Sequence, residues 1–350
     1  MRAVRWHDRG DIRVDEVPVP VQAADEALLA MESVGLCGTD VGEYVFGPLE
    51  IPLRPHPLTG SSAPMTLGHE IVARVARPAP DGSGPAAGTL VIPDTQLGCE
   101  SCWWCRRHET GLCRTSAVIG LHRPGGLADF MVVRAATLLT VPATLGADEA
   151  VFAEPLSCAV RAARKVEAQL LGTTVLIQGA GAIGLLLTQL LAASGVGRLI
   201  IADVEPGRLS LAAKLGASAA VVADDCDAFI ATLPEPGVDV VFECSGAIGQ
   251  VGTALRRVRP GGTVVGIGIH DQAEPIDLFR TIVGERRFIG TAGHVWDSDV
   301  ATALGLIERG IVDPRPLLSA TIPLADTVKL GFVPLADRTN GLLKVLVHPQ

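Results

Sequence analysis

The chain has 350 residues, a formal charge of −9 and 48% hydrophobic residues, which is long enough for two domains with sizeable cores. Its pI near 5.4 and its lack of a basic cluster argue against nucleic acid as a partner. The opening MRAVRWHDRGDIRV has no apolar core of the signal-peptide kind, and Gly and polar residues interrupt the longest apolar segments. No membrane span and a cytoplasmic setting are expected.

Residues 1 to about 150 read as mostly β. Alternating or β-branched runs recur at Ala3–Trp6, Ile12–Val19, Ala27–Val34, Ile71–Ala76, Thr89–Ile92 and Asp129–Val133, broken by Gly and Pro. Pro78–Gly88 reads as a surface turn. From about 151 the pattern changes. Phe152–Ala168 predicts a helix, and strands then alternate with helices. The predicted strands are Thr174–Gln178, Arg198–Ala202, Ala219–Val222, Val238–Glu243, Thr263–Ile269 and Arg287–Gly290. Gly184–Ser194, Pro206–Leu215 and Ile248–Val258 fit as helices between them. This alternation predicts an α/β fold with a doubly wound parallel sheet. The helix Asp299–Arg309 and the β-like run Leu343–Val347 close the chain.

Within that alternation, TTVLIQGAGAIG carries G-x-G-x-x-G at Gly179, Gly181 and Gly184, with Ala182 and Ile183 opening the helix. A strand, a tight glycine turn and a helix N-terminus make a pyrophosphate site. The next strand ends in Asp203, about 20 residues on, where a carboxylate would hold a ribose 2′-hydroxyl. Asp203 and Glu205 would repel a 2′-phosphate, so NAD is favoured over NADP. Arg208 is a candidate partner for the adenine end of the dinucleotide or for a phosphate.

Four of the eight cysteines, Cys99, Cys102, Cys105 and Cys113, fall within fifteen residues. In a reducing compartment such a cluster points to metal, and four thiolates without an open position describe a structural zinc site. Trp103 and Trp104 inside the loop read as packing or contact residues. A second set is weaker motif by motif: Cys37-Gly38-Thr39-Asp40, Gly68-His69-Glu70 and Ala153-Glu154-Pro155-Leu156. A lone Cys or His is ordinarily a core residue, and a Glu at a helix start is often a dipole partner.

Taken together and in this order, CGTD, GHE, the four-cysteine segment, EPLS and GAGAIG resemble the zinc-dependent medium-chain dehydrogenases over the whole chain. The EYVFGPLEIPLRPHPLTGSSAPMTLGHE and EPLSCAV segments are most similar to the butanediol and sorbitol dehydrogenase branch. The resemblance implies a GroES-like catalytic domain over 1–156 with a structural lobe at about 97–115. It implies a Rossmann NAD-binding domain over 157–291 and a return to the catalytic domain over 292–350. It also implies two zinc ions per subunit, a homodimer or homotetramer, and a small alcohol or ketone substrate oxidised or reduced reversibly. Cys37 and His69 would bind the catalytic zinc. Glu154 would be the third ligand or would hydrogen-bond the water there, and Glu70 would bind directly or sit behind the metal. One thiolate, one imidazole and one carboxylate leave Zn²⁺ neutral, so Glu70 and Glu154 are not expected to be tight ligands together. Asp40 would orient the His69 ring, and Thr39 would take the alcohol proton.

Two departures bear on function. Family members commonly pass the proton to a His five residues after the zinc Cys, where this chain has Gly42; water, the cofactor ribose or Glu43 would then receive it. Sorbitol-type enzymes carry an Arg-Tyr pair that aligns with Gly293-His294 here, which argues against a long polyol; the resemblance to butanediol dehydrogenases implies a small vicinal diol or hydroxyketone. Tyr44, Phe46, His294 and Trp296 are candidate pocket-wall residues. A polyol, cyclitol or amino alcohol dehydrogenase and a silent NAD-binding relic are the competing readings. Metal content separates the last: two zincs for an enzyme, one for a relic.

Overall fold

Alternating burial sets the early strands. In β1 (Arg2–Asp8) the side chains of Ala3, Val4 and Trp6 are wholly buried. β1 forms an antiparallel pair with β2 (Asp11–Glu16). β3 (Glu26–Gly35) runs into the helix Gly38–Phe46, and β4 (Met65–Thr66) pairs with β1. β5 (Glu70–Arg77), β6 (Leu90–Pro93), β7 (Gln96–Leu97), β8 (Ala117–Val118), β9 (Phe130–Arg134) and β10 (Leu138–Thr140) follow. The bounds of β1, β3, β5, β6 and β9 lie within a residue or two of the predicted runs; β10 falls outside every predicted run, and β2 stops at Glu16, ahead of Pro18. Proline has no N–H to give a ladder. The two-residue strands β4, β7 and β8 are too short to show any periodicity.

The computed structural model describes residues 1–234, 237–270, 272–337 and 340–349. It divides into one unit of Met1–Glu154, His294–Glu308 and Leu317–Gln350, and another of Pro155–Gly293 and Arg309–Pro316. The short return 309–316 goes with the second unit because the Gln189 side chain holds it. Gln189 Nε2 donates to the Asp313 carbonyl at 3.0 Å, and its Oε1 accepts the Asp313 N–H at 2.8 Å.

The second unit is a six-stranded, all-parallel sheet. Its strands are β11 (Thr174–Gln178), β12 (Arg198–Asp203), β13 (Ala219–Val222), β14 (Val238–Glu243), β15 (Val258–Gly266) and β16 (Arg287–Gly290), in the order β13-β12-β11-β14-β15-β16. Leu176, Ile200, Val241 and Val264 are wholly buried in it, as the near-continuous apolar runs of a two-sided sheet require. Strand order reverses between β11 and β14, which is where such sheets bind ligands. Three predictions need adjusting. The helix predicted over 152–168 spans Ala153–Arg164, because Val166 leaves helical geometry at φ −133 and a 3₁₀ turn follows. The strand predicted over 263–269 spans Val258–Gly266: it starts earlier, with Val258 opposite Val238 ahead of a bulge, and it ends at Gly266, where the N–H groups of Ile267 and Gly268 bend over to the Glu243 carbonyl. The helix predicted over 299–309 is a π turn, Trp296–Val300, continued by the α-helix Ala301–Glu308.

The chain then returns to the first unit. β17 (Leu318–Pro323) lies parallel to β18 (Lys344–His348), and β18 pairs antiparallel with β3. The resulting sheet runs β10-β6-β5-β3-β18-β17, with β9 also on β3. No helix among the described residues is long and apolar enough to cross a membrane.

Candidate active site

β3, β5 and β18 position Cys37, His69, Glu70 and Lys344. The β3–β5 register sets Gly35 opposite Glu70, and the β18–β3 register sets Leu346 opposite Gly35. Cys37 therefore leaves the end of β3 beside His69, which enters β5, with Lys344 close by on β18. Cys37 is the N-cap of the helix Gly38–Phe46, and the Asp40 carboxylate accepts the Cys37 N–H at 3.0 Å in a capping box. That helix N-terminus is complementary to negative charge on the sulfur. Thr39 Oγ1 lies 3.7 Å from Cys37 Sγ.

His69 is buried, and its Nδ1 faces Asp40 Oδ1 at 3.5 Å. Neither atom has a hydrogen-bond partner among the described residues. Burial works against charge on His69, but Asp40 and Cys37 outweigh it and hold its pKa well above the ordinary value. A buried imidazole set against a carboxylate and a thiol is a donor set that suits a cation. Glu154, second residue of its helix, lies 3.5 Å from His294 Nδ1. Burial pushes its carboxyl up, and His294 and His69 more than reverse that, leaving the pKa lowered. Cys37, His69 and Glu154 do not close as a trio to within 4.8 Å among the described residues. Both oxygens of Glu70 accept from Lys344 Nζ, at 2.6 and 2.7 Å.

In the cysteine segment, two 3₁₀ turns, Cys105–Arg107 and Thr110–Leu112, fold the chain back on itself. The ligand atoms of Cys99, Cys102, Cys105 and Cys113 then lie within 4.8 Å of one another. Hydrogen bonding from Ser101 brings Cys99 down to about 6, while burial pushes Cys105 up to about 12. Four sulfurs this close cannot all ionise without a cation between them, and tetrahedral zinc takes this donor set. Trp103 and Trp104 meet edge to face at 4.5 Å on this lobe, both exposed, with the Arg107 guanidinium 3.8 Å over Trp103.

Several expected roles change. Glu43 is buried and its carboxylate already accepts the N–H groups of Leu49, Glu50 and Ile51, at 3.0, 2.6 and 3.3 Å. It anchors the loop 49–51, and those three donors already engage its carboxylate. His294 is not an open pocket wall; it is buried between Glu154 and Asp94, with Nε2 3.5 Å from Asp94 Oδ1. Tyr44 packs against Phe332 with ring centroids 5.8 Å apart. Phe46 is exposed, and Trp296 is half-buried in the π turn. Gly42 is helical, and a Cβ there would meet only Leu49 Cδ1, at 3.4 Å. Sequence reasoning missed Lys344 and Asp94. The signal for the first was a single charge inside the apolar strand LLKVLV; Asp94 offered none.

The glycine turn closes the second unit's candidate site. Gly179 takes φ +101, and a Cβ on Gly184 would sit 1.9 Å from the Gly179 carbonyl, so helix and strand approach as only glycine allows. Gly181 caps the helix Ala182–Ala192 with no side chain on its N–H groups, leaving the N-terminus around Ala182 and Ile183 able to take an anion. Asp203, buried at the end of β12, accepts the Ala180 N–H at 2.6 Å and the Glu205 N–H at 2.9 Å. Arg208 lies in the first turn of the helix Pro206–Lys214.

The chain is similar to known proteins along its whole length. Residues 23–143 match the alcohol dehydrogenase GroES-like domain, and residues 182–309 match the zinc-binding dehydrogenase domain. The (R,R)-butanediol dehydrogenase of Neisseria gonorrhoeae is 28% identical over 357 residues, covering 100% of both chains. Sorbitol dehydrogenase of Bacillus subtilis is 28% identical, covering 100% of this chain and 98% of its own. A solved structure from Sinorhizobium meliloti, described as a zinc-binding dehydrogenase bound to NADP, superposes with a TM-score of 0.87 at 30% identity over 99% of each chain.

Proposed function

The chain belongs to the zinc-dependent medium-chain alcohol dehydrogenase family, in its butanediol and sorbitol branch, and from that premise we propose reversible, NAD-linked oxidation of a small vicinal diol to its hydroxyketone. As a family member it is an oxidoreductase acting on CH–OH groups with zinc and a nicotinamide cofactor. In this reading Cys37, His69 and Glu154 hold a catalytic zinc, and Cys99, Cys102, Cys105 and Cys113 hold a structural one. Bound zinc supplies Lewis-acid polarisation of the alcohol oxygen, and bound nicotinamide supplies the hydride acceptor.

The protein's residues do the rest. Asp40 holds the Nδ1 edge of His69, so that the ring presents Nε2. Thr39, beside the Cys37 sulfur, receives the alcohol proton at Oγ1. With Gly42 offering no imidazole and Glu43 occupied by three N–H groups, Thr39 would pass its own hydroxyl proton on to water. The glycine turn and the N–H groups at Ala182 and Ile183 take the pyrophosphate, with Arg208 at the adenine end. Asp203 takes the ribose hydroxyls and repels a 2′-phosphate, which favours NAD.

The observation that carries the reading is the buried His69–Asp40 contact beside Cys37, a thiol, an imidazole and a carboxylate set side by side. The butanediol dehydrogenase similarity over the full chain and the absence of Arg at 293–294 support the small diol. A panel of diols, polyols and amino alcohols assayed with NAD and with NADP tests it. The highest kcat/KM should fall on a four-carbon vicinal diol with NAD. A tenfold preference for a hexitol or an amino alcohol, or tighter binding of NADP, would overturn the corresponding part.

A homodimer or homotetramer belongs to the same reading. It is supported by the exposed apolar side chains Leu278, Phe279, Ile282 and Val283, which come just before the sheet's last strand in the chain, where Phe288 is also exposed. Sedimentation of Phe279→Glu should then give a smaller species than the parent protein.

A further inference from the structure

The loop between the helix Gly38–Phe46 and β4 is anchored at its start by Glu43. Further on it is held by two histidines that are not among the proposed zinc ligands. His56 of this loop lies against His122, in the turn that follows β8, with ring centroids 4.8 Å apart and planes inclined at 59°. Each ring accepts a backbone N–H on Nδ1: His56 from Leu58 at 3.3 Å, His122 from Val118 at 3.1 Å. A neutral imidazole has one acceptor nitrogen, and an imidazolium has none. Both rings are therefore neutral in this arrangement, with their protons on Nε2. The Thr59 hydroxyl donates to the His122 carbonyl, so loop and turn are also joined through the backbone. The two segments border a cavity of about 580 Å³ within the first unit. Leu58, Thr59 and Ser61 of the loop line it together with Ile119, Arg123 and Pro124 of the turn.

We propose that His56 and His122 are a pH-sensitive latch: neutral, they hold the loop on the turn and complete that side of the cavity; protonated, they let the loop go. Protonation at Nδ1 sets a donor against each donating N–H and puts two positive rings in contact. The charged neighbours do not offset this. Glu50 Oε2 lies 3.7 Å from His122 Nε2, but burial and the nearby Glu43 push the Glu50 carboxyl above its ordinary value, so it loses charge early as pH falls. Glu43 is itself engaged by three N–H groups, and Arg123, next to His122 in the chain, is paired with Glu26 at 2.6 Å. Burial, and then His56, hold the His122 pKa below its ordinary value. The latched state therefore binds fewer protons at His122 than the released one, whose imidazole titrates at about 6.5. The latch is at full strength above that value and weakens as pH falls below it. Glu50 works the opposite way, in the carboxyl range, and limits the release at the acid end.

Amide hydrogen exchange of the full-length, zinc-loaded protein tests this, read by mass spectrometry from about pH 7.5 to about pH 5.5 and corrected for the intrinsic pH dependence of exchange. Protection of peptides over 53–61 and 118–124 should fall together by about tenfold or more, the equivalent of one pKa unit. Peptides of β11 and of the cysteine lobe should keep theirs. The double variant His56→Asn/His122→Asn puts an amide oxygen where each Nδ1 accepts and cannot titrate, so both segments should stay protected throughout; His122→Asn alone should lie between. Parent protection that is flat across this range overturns the proposal. So does a fall that persists in the double variant, because the histidines would not be its cause. A fall shared by β11 and the lobe also overturns it, because the change would be global. If the double variant does not fold, nitrogen NMR of the parent histidines still decides. At about pH 7.5 both rings should carry their proton on Nε2, and either ring protonated at Nδ1 would refute the latch.

Discussion

The cysteine lobe and the Cys37–His69–Glu154 region are both proposed metal centres, yet they are built in opposite ways. The lobe draws four ligands from fifteen residues, and two 3₁₀ turns suffice to gather their sulfurs within 4.8 Å. The other centre takes its groups from the end of β3, the start of β5 and a helix start more than eighty residues later, and its trio does not close to that distance. A local site depends on metal for its own shape. A dispersed one borrows shape from the sheet, and its electrostatics are set by neighbours such as Asp40 and Lys344.

That contrast can be broken by experiment. Cys105→Ser should lose one zinc per subunit and melt the lobe first, since structural zinc is worth about 10–16 kcal/mol in isolated fingers; calorimetry and metal analysis would show a large fall in Tm. Unchanged Tm would mean that the lobe holds itself together. Cys37→Ser should instead leave Tm nearly constant while turnover falls about 1,000-fold or more, as loss of a main electrostatic stabiliser does. A folding defect there would erase the distinction between the two centres.

Smaller effects sharpen it. Asp40→Asn should weaken metal binding at the dispersed site by about 10–100-fold without touching the lobe, as read by chelator competition. Asp203→Asn should raise the KM for NAD by about tenfold and relax discrimination against NADP, because a charge-assisted hydrogen bond is worth about 1.5–3 kcal/mol. No change in the NAD-to-NADP ratio would remove Asp203 from cofactor choice. The smallest effect is expected from Gly42→His, whose Cβ has room beside Leu49. It should reduce the dependence of kcat on buffer concentration by a few-fold and alter its pH profile. An unchanged profile would show that proton exit past Gly42 does not limit turnover.

Much of this molecule was legible in the chain because its signals are local. Strand bounds in the parallel sheet follow continuous apolar runs: β11, β13, β14 and β16 begin and end where the sequence predicts. The glycine turn, Asp203 and the four cysteines are likewise short-range patterns whose chemistry is written in their spacing. The six-residue helices Cys226–Ala231 and Leu278–Val283 were not legible, since under two turns show no period.

What the sequence determined by itself, then, was the kind of chemistry: a dinucleotide turn, a compact sulfur site, and dispersed Cys, His and Glu motifs. Only the tertiary structure decided how the polar groups are partnered. It committed Glu43 to three backbone N–H groups, set His294 between two carboxylates, and put Lys344 on Glu70 from a strand 274 residues away in the chain. Partners so far apart leave no periodicity or spacing to read. A buried charge takes its meaning from the charge beside it, and only the register of β3, β5 and β18 brings these two together.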